Sequence, residues 1–305
     1  MTTPAQIISR AFERIAPLRL AEKWDNVGPV HPLLSGRTHP WYIHRSILTP
    51  SHLWLIPLNL TEAPISRQNA NRILLTIDLT SAVVEEAIST RTAAIISYHP
   101  PIFKPLSSFT LTNPLQKSLL LCTAHGISVF SPHTALDSVK GGINDWLSDI
   151  VQAAAPGSVE YVGAPKEDEL GGEGRLVRFQ QPVELGSLVN VIKRGLGLSA
   201  VQLGRSAHPR SDKVTSVAIC AGSGGSMLLG ADADVYFTGE MSHHEVLAAV
   251  ASGRHVVLCG HTNTERGYLP TLAEKLRAEL KDTNFGGESV EVHVSSKDRH
   301  PLDIL

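Results

Sequence analysis

The sequence has few cysteines, no excess of charge of either sign and no long apolar run. Its three cysteines, Cys122, Cys220 and Cys259, lie far apart in apolar segments. This arrangement excludes a disulfide framework and a CxxC zinc site, and it favours a reducing compartment. The 27 Lys and Arg against 29 Asp and Glu leave a net charge of −2. No bulk field therefore draws the protein to nucleic acid or to an anionic membrane.

Membrane insertion and secretion are not indicated either. The most apolar stretch, around Leu53 to Leu60, is interrupted by Pro57 and Asn59, and it is far shorter than the roughly 20 residues of a spanning helix. The first residues, MTTPAQIISRAFERIAPLRL, lack the charged start, apolar middle and cleavage site of a secretory signal. Their apolar residues recur at helical spacing, which predicts an amphipathic helix. We therefore expect a cytoplasmic protein, with a mitochondrial or nuclear pool left open.

From Asn71 onward, short β-branched runs alternate with longer stretches of helical period. This pattern is typical of βαβ units and predicts an α/β fold with mostly parallel sheets. A helix is predicted from Ser242 to Ser252, because Ser-His-His-Glu at its start has the spacing of a capping box. Strands are predicted at Arg72 to Ile77, Ala93 to Ser97, Ile127 to Ser131, Val214 to Cys220, Asp234 to Thr238 and His255 to Cys259.

The chain of 305 residues is long enough for one large domain or two lobes. We predict an N-terminal lobe over 1–150, a linker or small connector over 151–213 and a C-terminal lobe over 214–305. The connector contains a predicted strand at Arg175 to Phe179 and a predicted helix from Val183 to Arg194. Residues 29–59 do not fit this pattern, because they have no sustained period and are rich in proline and histidine.

Polar side chains follow nearly every predicted strand, and the carboxyl ends of parallel strands are where reactive groups collect. Imidazoles and carboxylates without thiolates suit a divalent ion such as zinc, manganese or iron. Such an ion could lower the pKa of a water molecule and so support hydrolysis. The best ligand set is His99, Asp137, His261 and Glu265, and further polar groups at strand ends are Asp78, His133 and Glu240.

Several of these residues have a purely structural alternative. A single histidine after a strand is usually a hydrogen-bonded structural residue, and Asp78 could equally belong to a turn or helix cap. His243 and His244 lie in the first turn of a capped helix, where a solvated or supporting role is favoured. The glycine-rich turn from Cys220 to Met227 could bind an anion through its N–H groups, but a tight turn is slightly favoured. Irregular spacing argues against a metal role for the histidines at positions 31, 39, 44 and 52.

Six ordered motifs stand out along the chain: WDNVG at 24–28, SYHPPIF at 97–103, HTALD at 133–137, GSGG at 222–225, TGEMSHHEVL at 238–247 and GHTNTERGYL at 260–269. Together they resemble the Nif-three-like family, the NGG-one-interacting factor three proteins, also called GTP cyclohydrolase I type 2 homologues. The resemblance implies two related α/β lobes with a dinuclear metal centre between them, and a ring-like homo-oligomer such as a hexamer. One or two divalent ions would then be bound per subunit, through the same four ligands.

The chain departs from the family pattern at two places. Tyr98 stands where many bacterial relatives have a second histidine. A tyrosine binds a metal only after its phenol loses the proton, and the ordinary pKa of the phenol is about 10. Residues 29–59 are interpreted as an insertion outside the family core, either a genuine segment, expected to form a poorly ordered surface loop, or translated intron sequence retained in the gene model.

Two functions are consistent with the resemblance. The first is a metal-dependent hydrolase of a small anionic or nucleotide-like substrate, with His133, Glu240 and His243 as catalytic or substrate-positioning groups. The second is a non-catalytic metal-binding protein that interacts with a partner in transcription, without direct DNA binding.

Overall fold

The computed structural model describes residues 3–25, 60–166, 170–210, 212–285 and 287–303. The predicted insertion at 29–59 therefore lies outside the described residues. The helices of the described part are α1 Pro4–Ile15, α2 Ser81–Ser89, α3 Pro114–Ala124, α4 Thr134–Ser138, α5 Ile143–Gln152, α6 Leu185–Leu196, α7 Gly225–Leu228, α8 His243–Ala251 and α9 Leu269–Leu280.

The longer strands form two sheets. The strands are β1 Leu60–Thr61, β2 Arg72–Thr76, β3 Thr92–Ser97, β4 Ser128–Phe130, β5 Gly157–Glu160, β6 Pro165–Lys166, β7 Gly171–Gly172, β8 Arg175–Val183, β9 Gln202–Gly204, β10 Val214–Ser223, β11 Val235–Glu240, β12 His255–Leu258, β13 Asn284–Phe285, β14 Glu288–Ser289 and β15 Glu291–Val294. The first sheet has the order β1-β4-β3-β2-β15 and the second β5-β8-β10-β11-β12-β9. Strands β4, β3, β2 and β15 run parallel, as do β10, β11 and β12. The predicted α/β fold is thus confirmed.

Local sequence signals account for the helix starts. Thr3 and Gln6 form a capping box at α1, with Pro4 in the first helical position. Ser242 and Glu245 form the predicted capping box at α8. The predicted strands and helices agree with the structure to within a few residues at each end, which is the usual uncertainty of such boundaries.

Three apolar clusters hold the layers together. The largest joins both sheets and includes Phe12 of α1, Phe130 of β4, Val217 of β10 and Leu272 of α9. Two smaller clusters cover the outer faces of the sheets, one against α2 and α3 and the other against α7 and α8. Because the large cluster spans the two sheets, the carboxyl ends of their parallel strands are held in a fixed relation to each other.

The sheets cross the predicted boundaries along the chain. The connector at 151–213 supplies β5, β8 and β9 to the second sheet. The C-terminal strand β15 belongs by sequence to the second half of the chain, but it pairs in parallel with β2 of the first sheet. Sequence position alone therefore does not assign a strand to its sheet. Among the described residues, no helix is both long and apolar enough to cross a membrane.

Candidate metal centre

The first sheet contributes a histidine held by a carboxylate. His99 follows β3 and Asp78 follows β2, and these two strands are parallel neighbours. Asp78 Oδ1 lies 2.9 Å from His99 Nδ1 in a hydrogen bond. This bond fixes the ring so that Nε2, the other ring nitrogen, faces away from Asp78. An imidazole supported in this way is the usual form of a metal-binding histidine.

The second sheet contributes a similar pair and a buried acid. His261 and Glu265 follow β12, in a short 3₁₀ turn and directly after it. Oε1 of Glu240, the last residue of the neighbouring β11, accepts a 2.9 Å hydrogen bond from His261 Nδ1. The Glu265 side chain is only 1% exposed. Glu240 was predicted as a catalytic group, and the structure places it as the carboxylate that orients His261.

These two halves bring three of the four predicted ligands together. His99 Nε2 lies 3.5 Å from Glu265 Oε2, and His261 Nε2 lies 3.2 Å from Glu265 Oε1. One donor atom from each residue lies within 4.8 Å of the other two. Donors about 2.1 Å from a zinc ion at tetrahedral angles would lie about 3.4 Å apart. The buried Glu265 Oε2 has no hydrogen-bond partner among the described residues. The three side chains therefore fit a divalent ion.

The charges around Glu265 lead to the same conclusion. Burial disfavours the protonated form of His99, but the Asp78 and Glu265 carboxylates outweigh burial and raise its pKa to about 10. Burial likewise opposes protonation of His261, and the Glu265 and Glu240 carboxylates raise its pKa to about 9. Without a metal, two imidazolium protons thus compensate the buried Glu265. A divalent ion would supply the same two positive charges while releasing those protons.

Asp137, the fourth predicted ligand, is not part of this group. Its Oδ1 accepts a 2.6 Å hydrogen bond from the Tyr98 hydroxyl. Burial raises the pKa of Asp137 to about 6, although nearby His133 and the Tyr98 bond act to lower it. Burial also raises the pKa of Tyr98, so the phenol keeps its proton and acts as the donor. The residue that replaces a histidine of the family pattern therefore engages the carboxylate that was expected to bind metal.

His133, predicted as a catalytic residue, lies beside the three ligands in a strained conformation. Its ring centroid is 5.6 Å from that of His99. Its φ of 37° is rare for a residue other than glycine, and such strain costs about 1–3 kcal/mol and is concentrated at functional sites. His133 Nδ1 lies 2.8 Å from Oδ2 of the buried Asp25. This is a close charge contact rather than an aligned hydrogen bond, since Nδ1 has no hydrogen-bond partner among the described residues.

The glycine-rich turn from Cys220 to Met227 makes room for the ligands. At Gly222, φ is +62°, and a Cβ atom would lie 2.6 Å from Glu265 Oε1 and 2.9 Å from His261 Nε2. Only a residue without a side chain lets this backbone approach both ligands so closely. The turn was predicted as a tight turn or an anion site, and a role in packing against the ligands was missed.

Two of the three ligands, His261 and Glu265, border a cavity of about 300 Å³. His261, Glu265, His133, Asp137 and Tyr98 all line it. His243 does not line it: this predicted catalytic residue is exposed at the start of α8, and its ring packs near that of His244. The histidines at positions 31, 39, 44 and 52 lie outside the described residues.

The carboxylates that are hydrogen-bonded to the two histidines lead to a first prediction. Asp78→Asn and Glu240→Gln each keep the side-chain size but remove the charge that makes the bonded imidazole a better donor. Loss of such a supporting group weakens metal binding by about 10–100-fold. We expect a decrease of this size in the Zn²⁺ affinity of either variant, measured by competition with a chromogenic chelator. An unchanged affinity in both variants would contradict the proposed orientation of the rings.

Comparisons with known proteins show which family the chain belongs to. A family model described as Duf34/NIF3 (NGG1p interacting factor 3) matches residues 64–301. The NIF3 homolog of Schizosaccharomyces pombe is 39% identical over 308 residues, covering 98% of this chain and 97% of that protein. The NGG1-interacting factor 3 of Saccharomyces cerevisiae is 34% identical, covering 99% and 98%.

The fold has a close counterpart among solved structures. The crystal structure of a Bacillus cereus protein related to NIF3 has a TM-score of 0.73 at 18% identity and covers 98% of both chains. At this identity the likeness concerns the fold alone. The family model matches residues 64–301, a range that contains His99, His261 and Glu265, and the two fungal relatives cover nearly the whole sequence. The chain therefore belongs to the NIF3 family.

Proposed function

We propose that the protein binds a divalent ion, such as zinc, manganese or iron, through His99, His261 and Glu265, and that it is a metal-dependent hydrolase of a small anionic or nucleotide-like substrate. The observation that carries this proposal is the convergence of two carboxylate-supported imidazoles on one buried carboxylate. When bound, the ion would polarise a substrate oxygen and lower the pKa of a water molecule. Glu265 compensates the charge of the ion, while Asp78 and Glu240 hold the two rings.

His133 is the residue best placed to move a proton in this site. It lines the cavity beside the ligands, and the buried Asp25 carboxylate lies against its Nδ1 atom. A carboxylate in that position favours the tautomer with the proton on Nδ1, which leaves Nε2 free to accept a proton. We assign His133 as general base or acid and Asp25 as its positioning partner. His243, exposed and outside the cavity, has no comparable support for a catalytic role.

The charge of the cavity suggests how an anion would be held. Its lining includes the acidic side chains of Glu22, Asp137, Glu173 and Glu265, and no Lys or Arg belongs to the described lining. Lys166 is close by, but its Nζ is paired with Glu22 and lies 3.7 Å from Glu173. An anionic substrate would therefore depend on the metal ion for its binding.

Metal dependence of both binding and turnover tests this proposal. Purified wild type and Glu265→Gln would be assayed with a panel of nucleotides and phosphoesters, with and without added Mn²⁺ or Zn²⁺. We expect turnover of at least one substrate by the metal-loaded wild type, and neither binding nor turnover without metal or in the variant. Bound metal without turnover of any substrate would contradict the hydrolase.

A metal-binding protein that interacts with a partner in transcription is the second candidate. It is supported by the printed name of the Saccharomyces cerevisiae relative, an interacting factor. Bound metal together with specific capture of such a partner, and no hydrolysis, would favour it. We further propose that the protein is cytoplasmic and forms a ring-like homo-oligomer, such as a hexamer. Light scattering of the purified protein would test the oligomeric state.

The Tyr98–Asp137 hydrogen bond leads to a prediction about metal stoichiometry. Because Asp137 already accepts a hydrogen bond from the Tyr98 hydroxyl, which stays protonated, we expect one tightly bound ion per chain. In Tyr98→His, an imidazole replaces the phenol and the hydrogen bond from Tyr98 to Asp137 is lost. The Asp137 carboxylate is then free to bind a second ion. Elemental analysis should give about one ion in wild type and more in the variant. Two ions in wild type would contradict this interpretation.

A further inference from the structure

The C-terminal segment, residues 295–300, lies across the back of the candidate metal centre. It follows β15, which pairs with β2, and Ser295 N donates a 2.8 Å hydrogen bond to Leu75 O. The segment then passes the carboxyl end of β2, where Asp78 is located. It therefore reaches the same edge of the first sheet as the His99–Asp78 pair.

Asp298 is the central residue of this segment. Its side chain is only 2% exposed, so each of its oxygens needs a partner within the protein. Oδ1 accepts hydrogen bonds from Ile77 N and from the Thr76 hydroxyl, each at 3.2 Å. Oδ2 accepts a 2.6 Å bond from Arg266 Nε. One buried carboxylate thus joins β2 to the turn that follows β12.

Two of the three partners of Asp298 are adjacent in sequence to residues of the metal centre. Ile77 directly precedes Asp78, which orients His99, and Arg266 directly follows Glu265. Arg266 also donates a 3.1 Å bond to the hydroxyl of Thr262, the residue after His261. That hydroxyl shares a 2.8 Å hydrogen bond with Nδ1 of His300 in the C-terminal segment.

We infer that Asp298 and Arg266 are positioning residues of the metal centre, which set the distance between the ligand from the first sheet and the two ligands from the second. This inference rests on the proposed metal binding. The Asp298–Arg266 ion pair connects the two halves of the site that otherwise belong to separate sheets. A change at Asp298 would therefore alter ligand geometry without touching any ligand.

Asp298→Asn tests this positioning role, and a matched control variant separates the role from a simple loss of charge. The amide oxygen can face either Ile77 N or Arg266, while its NH₂ group must face the other donor. One donor therefore loses its acceptor in either orientation. Asp232→Asn is the matched control, because it breaks an ion pair of the same 2.6 Å length, with Arg210, at an exposed position.

The readouts are the Co²⁺ affinity and the visible absorption spectrum of the full-length protein loaded with Co²⁺, since the spectrum reports ligand geometry. We expect Asp298→Asn to bind Co²⁺ about 10–100-fold more weakly than wild type, with a changed spectrum, and Asp232→Asn to match wild type. Arg266→Lys, which loses the bond to Thr262, should change both readouts in the same direction. It serves as the second variant if Asp298→Asn does not fold.

Two results would overturn the inference in different ways. Folded variants with wild-type Co²⁺ affinity and spectrum, even if less stable to heat, would give Asp298 a structural role only and leave the metal site standing. A wild-type protein that binds no Co²⁺ would overturn the proposed metal binding and the positioning role together.

Discussion

Glu265→Gln is expected to lose divalent-metal binding almost completely. Glu265 is the only one of the three ligands that carries a negative charge, and it contacts both histidines from a buried position. The glutamine variant keeps the volume but offers one neutral oxygen, and its NH₂ group would point at a ligand position. Loss of a supporting group alone costs about 10–100-fold in affinity. We therefore expect a decrease of more than about 100-fold, which is larger than that cost.

Isothermal titration with Zn²⁺ or Mn²⁺ measures this loss, after circular dichroism has shown that the variant is folded. Glu274→Gln is the matched control, because Glu274 is exposed and its 2.6 Å ion pair is with Arg277 of the same helix. The control should bind metal like wild type. If Glu265→Gln bound metal with wild-type affinity, Glu265 would not be a ligand, and the proposed centre would be contradicted.

Gly222→Ala is expected to damage the metal centre through a single added methyl group. The new Cβ would lie 2.6 Å from Glu265 Oε1 and 2.9 Å from His261 Nε2, closer than non-bonded atoms approach. Either the two ligands or strand β10 must shift to relieve this clash. A displaced ligand should lower the metal affinity as strongly as the loss of a supporting group does. We expect metal affinity to fall by at least about 10-fold.

Gly197→Ala separates this effect from backbone strain. Gly197 ends α6 with a φ of +67°, close to the +62° of Gly222, but a Cβ there meets nothing within 4 Å. Both variants place alanine in the left-handed region, at a cost of about 1–2 kcal/mol. Chemical denaturation should therefore show a loss of unfolding free energy from strain in both variants, with a further loss from the clash in Gly222→Ala, whereas only Gly222→Ala should lose metal affinity in a titration. Equal affinities in the two variants would show that Gly222 is required for its backbone conformation alone.

The strand ends were predictable from sequence because they depend on local pattern. Alternating β-branched runs located β2 and β3 of the first sheet and β11 and β12 of the second, and polar residues at the carboxyl ends of parallel strands lie at one edge of their sheet. This reasoning identified His99, His261 and Glu265 without knowledge of distances.

Long-range pairing was less accessible to sequence analysis. Asp298 lies in a short C-terminal stretch whose strand, β15, joins a sheet formed mainly by the first half of the chain. No local periodicity indicates such a partner. The same applies to Asp25 beside His133, since these two side chains lie 2.8 Å apart although their positions differ by 108 in the sequence.

Asp137 shows how one substituted neighbour changes an inferred role. By motif it matches a metal ligand of the family. In the structure its carboxylate accepts a hydrogen bond from the Tyr98 hydroxyl, because a buried phenol with a raised pKa keeps its proton and acts as a donor. The departure at Tyr98 was visible in the sequence, but the contact that explains its effect required coordinates.

The most direct test of the metal centre is a crystal structure of the protein grown with Zn²⁺, with diffraction recorded on both sides of the zinc absorption edge. The three-ligand arrangement predicts one anomalous peak about 2.0–2.2 Å from His99 Nε2, His261 Nε2 and a Glu265 carboxylate oxygen. A peak bound elsewhere, or no peak between these three side chains at saturating zinc, would contradict the proposed centre.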